Sequence, residues 1–309
     1  MRSAAKWQVR DYGKGGPEMK AKRIHGTVDS VVIISHIVMT LFAVICFFPF
    51  YYILVVSISD PANVREGAMI LFPKGFSLEA YKVTLTHARF YSSLKVSMIR
   101  TLLGTAMGII FSSALAYAVS RPYLRGRKWL TLFLIFTMLF NGGMIPTYLV
   151  VRYTGLIDTI WALLIPNMIN TFNVIVLINF FRAVPAELEE SAKIDGANDL
   201  IIFIRLMIPV AMPAIATITL FIAVYHWNAL MDGILYINTA SKKPLQVYLN
   251  DIVVAGQTED MFQDASSRWM PTLSMKTATI FASTLPILIV YPFLQKYFVK
   301  GVMVGSVKG

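Results

Sequence analysis

Glu187, Glu189 and Glu190 follow Pro185 and precede Gly196 and Asp199, in a polar stretch between two long apolar runs. Carboxylates grouped in this way can accept charge-assisted hydrogen bonds from the basic side chains of a partner. Ser191 and Ala192 beside them are small and allow close approach. The composition alone fits a solvated acidic loop equally well, so the order of the residues has to separate the two readings. Pro185 suits the first turn of a helix, because its φ is fixed and it has no amide hydrogen to leave unpaired. The glutamates then fall in the positive N-terminal turns, where carboxylates are favoured. Leu188, Ser191 and Ala192 take i, i+3 and i+4 spacing. Gly196 permits a left-handed stop, and Asn198 or Asp199 can cap a second helix that opens with the apolar run from Leu200 to Phe203. The spacing predicts helix, turn, helix over residues 186–203, lying across a membrane face.

Catalytic chemistry finds no support elsewhere. His25, His36, His87 and His226 form neither an HExxH pair nor a metal-spaced cluster. There is no GxSxG nucleophile elbow and no GxxxxGK[ST] phosphate loop. Cys46 is the only cysteine, which excludes an intrachain disulfide and a cysteine metal site. The expectation is a chain that is not an enzyme and binds no cofactor or metal itself. Polar groups inside apolar runs are the remaining candidates: Arg100, Asn141, Asn170 and Asn173, then Trp227 and Asn228 next to His226. Such groups can attract an anion, hydrogen-bond sugar hydroxyls or stack on a sugar ring. They serve equally as a snorkelling or locally paired arginine, as ties between helices, or as interface anchors. A proton-coupled carrier needs an intramembrane acid, and the carboxylates concentrate outside the apolar runs.

The elements that position these groups follow from hydropathy. The chain has 309 residues, 56% of them hydrophobic and 15% charged, with a mean hydropathy of +0.63. A membrane span needs about 20 apolar residues. Six spans are expected, at about 30–57, 93–119, 129–151, 159–183, 206–228 and 276–297, in one all-α membrane domain over 28–298. A basic segment 1–27 precedes it, a tail 299–309 follows it, and a long loop covers 229–275. Residues 1–27 are polar and the first apolar run is too long for a cleaved signal. Glycine and proline interrupt the third span at Asn141 to Pro146 and the fifth at Pro209 and Pro213. These are packing kinks, hinges or a cavity lining. Segments on the side of the acidic island carry seventeen Lys or Arg against ten on the other side, so the positive-inside rule places the island and both termini in the cytoplasm. The net charge of +11 is explained by topology and anionic lipid, not by nucleic acid.

Glu190, Ser191 and Ala192, three residues, Gly196, nine residues, then Leu206, Met207, Ile208 and Pro209 together resemble the EAA signature of ABC-importer permeases. Ser191 stands for its first alanine, and Leu206 and Ile208 exchange its branched aliphatics. The run FFRAVPAELEESAKIDGA is similar to the sugar-importing branch, and GGMIPTYLVV to a subgroup for complex oligosaccharides. The resemblance implies a type I permease fold in the bacterial inner membrane. Its partners would be a homologous second permease, two ATP-binding subunits that hold ATP and Mg, and an extracytoplasmic sugar-binding protein reached by the 229–275 loop. Glu190, Ser191, Ala192, Asp195, Gly196, Leu206, Ile208 and Pro209 would couple to the ATPase. Arg100, Asn141, Asn170, Asn173, Trp227 and Asn228 would border the substrate path. The substrates implied are oligosaccharides from polysaccharide breakdown, including uronate-containing fragments of alginate or pectin. A secondary carrier and a non-transporting assembly subunit are the alternatives.

Overall fold

A computed structural model describes residues 25–64, 70–253 and 273–289, and all the regular structure among them is helical. The tail 299–309, most of the basic N-terminal segment and the 254–272 stretch of the 229–275 loop lie outside the described residues. The helices are α1 His25–Ser57, α2 Glu79–Thr86, α3 Ala88–Ser120, α4 Arg127–Leu139, α5 Met144–Tyr153 and α6 Ile160–Leu164. They continue as α7 Thr171–Arg182, α8 Ala186–Ile194, α9 Asp199–Ile202, α10 Ile208–Val210, α11 Met212–Asn228, α12 Met231–Tyr236 and α13 Leu245–Val253. A last helix, α14, covers Leu273–Ile289 and overlaps the expected sixth span. The chain divides into two units, residues 1–49 and 50–309. The first contains most of α1, whose Ser30–Ser57 stretch has a mean hydropathy of 2.7. A helix that is hydrophobic all round is one that lies in a large core or spans a membrane.

In the second unit α3 is the axis. Its buried face is a row of small residues, Ser93, Ser97, Gly104, Gly108, Ser112, Ala116 and Ser120, while Met98, Leu102, Ile110 and Phe111 are exposed. Lipid tails are as apolar as leucine, so helices associate here by close backbone approach, and small residues permit it. A Cβ at Gly108 would lie 3.1 Å from Ile222 and 3.3 Å from the Met168 carbonyl, which shows how near α11 and the α6–α7 segment come.

Three expected spans are bent. Helices α4 and α5 meet at 115°, at a corner where Asn141 Oδ1 accepts from the Gly143 amide at 2.8 Å and Gly143 has φ +86°. Thirteen residues of α4 reach only about 20 Å, short of the roughly 30 Å hydrocarbon core. The interruption expected at Asn141 to Pro146 is a corner between two helices. The fourth span turns by 49° after a 3-10 turn at Ile165–Asn167, where Pro166 lacks an amide and Asn170 caps α7. The fifth turns by 85° at Ala211, between Pro209 and Pro213. Helix α11 starts at Met212 after this bend, and Leu206 to Pro209 lie before it, in the segment that runs back to the acidic island.

Candidate functional site

The island folds as helix α8, a turn and helix α9, extended by a π-helical turn at Phe203–Met207. Pro185 sits one position before the first helical residue, as the N-cap with ψ 135°. Gly196 has φ +84°, and the Ala197 amide donates back to the Ala192 carbonyl at 2.9 Å, which closes α8. Asn198 Oδ1 caps α9 by accepting from the Ile201 amide at 2.9 Å.

What anchors this hairpin is Arg121, the residue that ends α3. It is buried, and all three of its nitrogens are engaged. Nη1 pairs with Glu189 Oε2, Nη2 donates to the Phe181 carbonyl at 3.1 Å, and Nε donates to Ser120 Oγ at 2.9 Å. The guanidinium lies 4.9 Å from the centre of the Tyr117 ring. The other oxygen of Glu189 receives Lys193 Nζ at 3.1 Å. The Tyr123 hydroxyl lies between Glu189 Oε1 at 3.3 Å and Asp199 Oδ1 at 3.0 Å. Burial, then the Asp199 hydrogen bond and the Glu189 charge, push that hydroxyl up to about 12, so it stays a donor. Burial works against the Lys193 ammonium, but the hydrogen bond and charge of Glu189, with Asp199, outweigh it and hold the group above its ordinary value.

Around this anchor the coupling candidates divide by exposure. Ala192 and Leu206 pack on the core formed by Tyr117, Phe181, Ile202 and Met207, and Ile208 is half-buried. Glu190, Ser191, Asp195, Gly196 and Pro209 are exposed, as are the apolar Leu188, Ile194, Leu200 and Ile204. The hairpin thus presents a mixed acidic and apolar outer face on a rigid base.

A second polar cluster lies farther along α3, about 30 Å away by helix rise. Arg100 is fully buried, with Nη2 on Asp232 and Nη1 donating to the Ala229 carbonyl at 3.1 Å. Asn167 Nδ2 donates to Asp232 at 3.4 Å. Next to it, between Pro166 and Tyr225, is a cavity of about 450 Å³ lined by Asn167, Asn170, Asn173, Phe172 and Phe221. Of the residues considered for a substrate path, Asn170 and Asn173 line this cavity, and Arg100 contacts the carboxylate held by Asn167. Trp227 is half-buried against the Phe90 and Tyr248 cluster, Asn228 bonds back to the Val224 carbonyl at 2.9 Å, and Asn141 makes the α4–α5 corner; none of these three lines the cavity.

At the same end of the molecule Asp158, at φ +61°, clips two loops together. It accepts from the Asn238 and Thr239 amides at 3.1 and 2.9 Å, from Thr239 Oγ1 at 2.6 Å and from Lys242 Nζ at 2.8 Å. Lys242, then Thr239, hold its carboxyl well below the usual carboxylate range. A lowered folded value contributes stability above the unfolded aspartate value of about 4, and that stability is lost as pH falls through the folded value. The difference in melting temperature between the wild type and Asp158→Asn is expected to stay constant from pH 8 down to about 5 and to shrink only below about 4. A difference that vanishes already near neutral pH would rule out an ionised clip.

Residues 101–304 match the family described as the binding-protein-dependent transport system inner membrane component. The chain belongs to that family. The permease is 48% identical over 87% of its length to the polygalacturonan/rhamnogalacturonan transport system permease YtcP of Bacillus subtilis, covering 95% of that protein. It is 45% identical over 84% of its length to protein LplC of the same organism, covering 89% of it. Among solved structures it superposes with a TM-score of 0.84 and 36% identity on a chain of a bacterial ABC transporter involved in import of the acidic polysaccharide alginate, over 89% of this chain and 99% of that one. The permease is an inner-membrane transport subunit with the type I fold.

Sequence spacing does not single out Arg121, Glu189 or Asp232. Arg121 reads as one of four loop cations that set topology, and Glu189 as one of three helix-start acids. The available signal is the i,i+4 pair of Glu189 and Lys193, which marks one face of α8 as occupied and leaves Glu190 on another.

Proposed function

We propose that this permease forms half of the membrane pathway of an ATP-driven, binding-protein-dependent importer of oligosaccharides released from polysaccharides, uronate-containing ones among them. The observation that carries the coupling role is the hairpin of α8 and α9, anchored through Glu189 and Arg121 to α3 while Glu190, Ile194 and Leu200 face outward. The substrate class rests on the pectin-related and alginate-related transporters that the chain is similar to. A homologous permease completes the pathway, and two ATP-binding subunits, which hold ATP and Mg, dock on the hairpins. A sugar-binding protein delivers substrate at the opposite end. The island faces the cytoplasm in this reading, in keeping with the excess of basic residues on its side.

Glu190 then accepts charge-assisted hydrogen bonds from a basic side chain of the ATPase. Closure of the ATP-binding subunits moves the hairpin as a body. Ala192 and Leu206 pass that motion to the core, and Leu206 to Pro209 lead through the bend at Ala211 into α11. The permease pair alternates between inward and outward access. The test is a mild-detergent pull-down from native membranes with the partners identified by mass spectrometry. A second permease and an ATPase are expected. Glu190→Lys is expected to reduce ATPase recovery about tenfold, since a charge-assisted hydrogen bond contributes about 1.5–3 kcal/mol. Unchanged recovery would remove Glu190 from the interface, and repeated failure to recover any ATPase from intact protein would remove the importer reading.

A further inference from the structure

The pairing around Asp232 is that of a binding site for a carboxylate. Arg100 Nη2 and Asn167 Nδ2 converge on the same oxygen, Oδ2, from two different segments. The carboxylate that fills the site is the chain's own, carried on α12, one short turn after α11 ends at Asn228. Polar groups on the same stretch of α3, and on α11 where His226 packs against Gly104, are left without partners. Arg100 Nε, both ring nitrogens of His226 and the hydroxyls of Thr101 and Thr105 are buried without a hydrogen-bond partner. Arg100 is 0% and His226 1% exposed. Buried polar groups without partners are costly to folding, and a guanidinium with a spare N–H, near an imidazole that can both donate and accept, suits a ligand that carries a carboxylate and hydroxyls. Asn167 belongs both to this cluster and to the wall of the 450 Å³ cavity, so a ligand in the cavity already touches a residue that holds Asp232.

We infer that Arg100, Asn167 and His226 form a subsite for the carboxylate of a uronic-acid residue, with Asp232 as its internal stand-in. The inference rests on the uronate reading above. An acidic sugar entering the cavity replaces Asp232 on Arg100, exchanging one carboxylate for another while the guanidinium stays paired. The freed Asp232 lets α12 leave α3. A neutral sugar cannot make this exchange, because it would leave Arg100 buried with no anion. A site built around a particular polar group rejects ligands that lack it.

The test uses the complete importer with its binding protein, reconstituted in proteoliposomes, and trigalacturonate as probe. Wild type is expected to accumulate it. The double variant Arg100→Gln/Asp232→Asn keeps hydrogen-bonding groups of similar shape while removing both charges. It is expected to assemble with the same partners yet take up trigalacturonate at least about tenfold more slowly. A merely structural ion pair predicts the opposite, full uptake by the double variant, and that result overturns the inference while leaving the uronate reading intact. Asn167→Leu, at the cavity wall, is a second arm. It is expected to raise the half-saturating trigalacturonate concentration about tenfold, and an unchanged value likewise overturns the subsite. Failure of the wild type itself to accumulate trigalacturonate overturns the uronate reading and the subsite with it.

Discussion

Arg121→Ala is expected to destabilise the permease by about 3–5 kcal/mol, because it leaves Glu189 in a largely dry site with Lys193 as its remaining cation. The pair is sealed from water, with side-chain exposures of 9% and 10%. The lost guanidinium also abandons the Phe181 carbonyl, Ser120 Oγ and the face of Tyr117. Glu189→Ala is expected to cost a similar amount by the same argument with the signs reversed. The informative variant is the double replacement Arg121→Met/Glu189→Leu. Breaking a buried pair by one partner costs far more than exchanging both for apolar groups of similar volume, which is often neutral. Most of the stability is therefore expected to return in the double variant, as measured by thermal unfolding of the detergent-solubilised complex. Transport is not expected to return in full, because Tyr123, Lys193 and Asp199 lose the acid around which they are arranged. If Arg121→Ala costs less than about 1 kcal/mol, the value of an exposed pair, the anchor is not what holds the hairpin to α3.

The second large effect is expected at Gly104. A Cβ built there falls 2.4 Å from His226 Nε2 and 2.5 Å from its Cδ2, closer than side-chain carbons approach anything. The imidazole is buried, so relief requires α11 to move away from α3 along their main contact. Overpacking of this kind costs about 1–3 kcal/mol for Gly104→Ala, and Gly104→Val adds branching where the ring already stands. Because the clash is with one named side chain, it predicts a specific rescue. In Gly104→Ala/His226→Ala the two effects should be strongly non-additive, with the double variant more stable than the Gly104→Ala single. Additive losses would show that α3 and α11 are held apart by something other than this ring. Gly108 offers a milder case on the same face, with its nearest contacts at 3.1 and 3.3 Å.

The parts of this protein legible in its sequence are those set by short-range physics. The helix-turn-helix of the island follows from Pro185, Gly196 and Asn198, each acting within a few positions; Gly196 and Asn198 do so in the fold, and Pro185 stands one position before the first turn, as the N-cap. The all-α membrane class and the first span follow from the length of uninterrupted apolar sequence, which is a property of solvent and chain. The family likewise follows from local order, Glu190 through Pro209. Hydropathy does not determine direction. An average over twenty residues is the same for a straight helix and for one bent by 115° or 85°, so the breaks at Gly143 and Ala211 show only as flagged glycines and prolines. Nor does it determine pairing. Arg121 and Glu189 are 68 positions apart, and Arg100 and Asp232 are 132 apart. Each charge on its own has a sufficient local explanation, as a topology signal, a helix-start acid or a snorkelling arginine. Tertiary packing brings them together, because an ion inside a low-dielectric bundle must find its counter-ion wherever in the chain that lies.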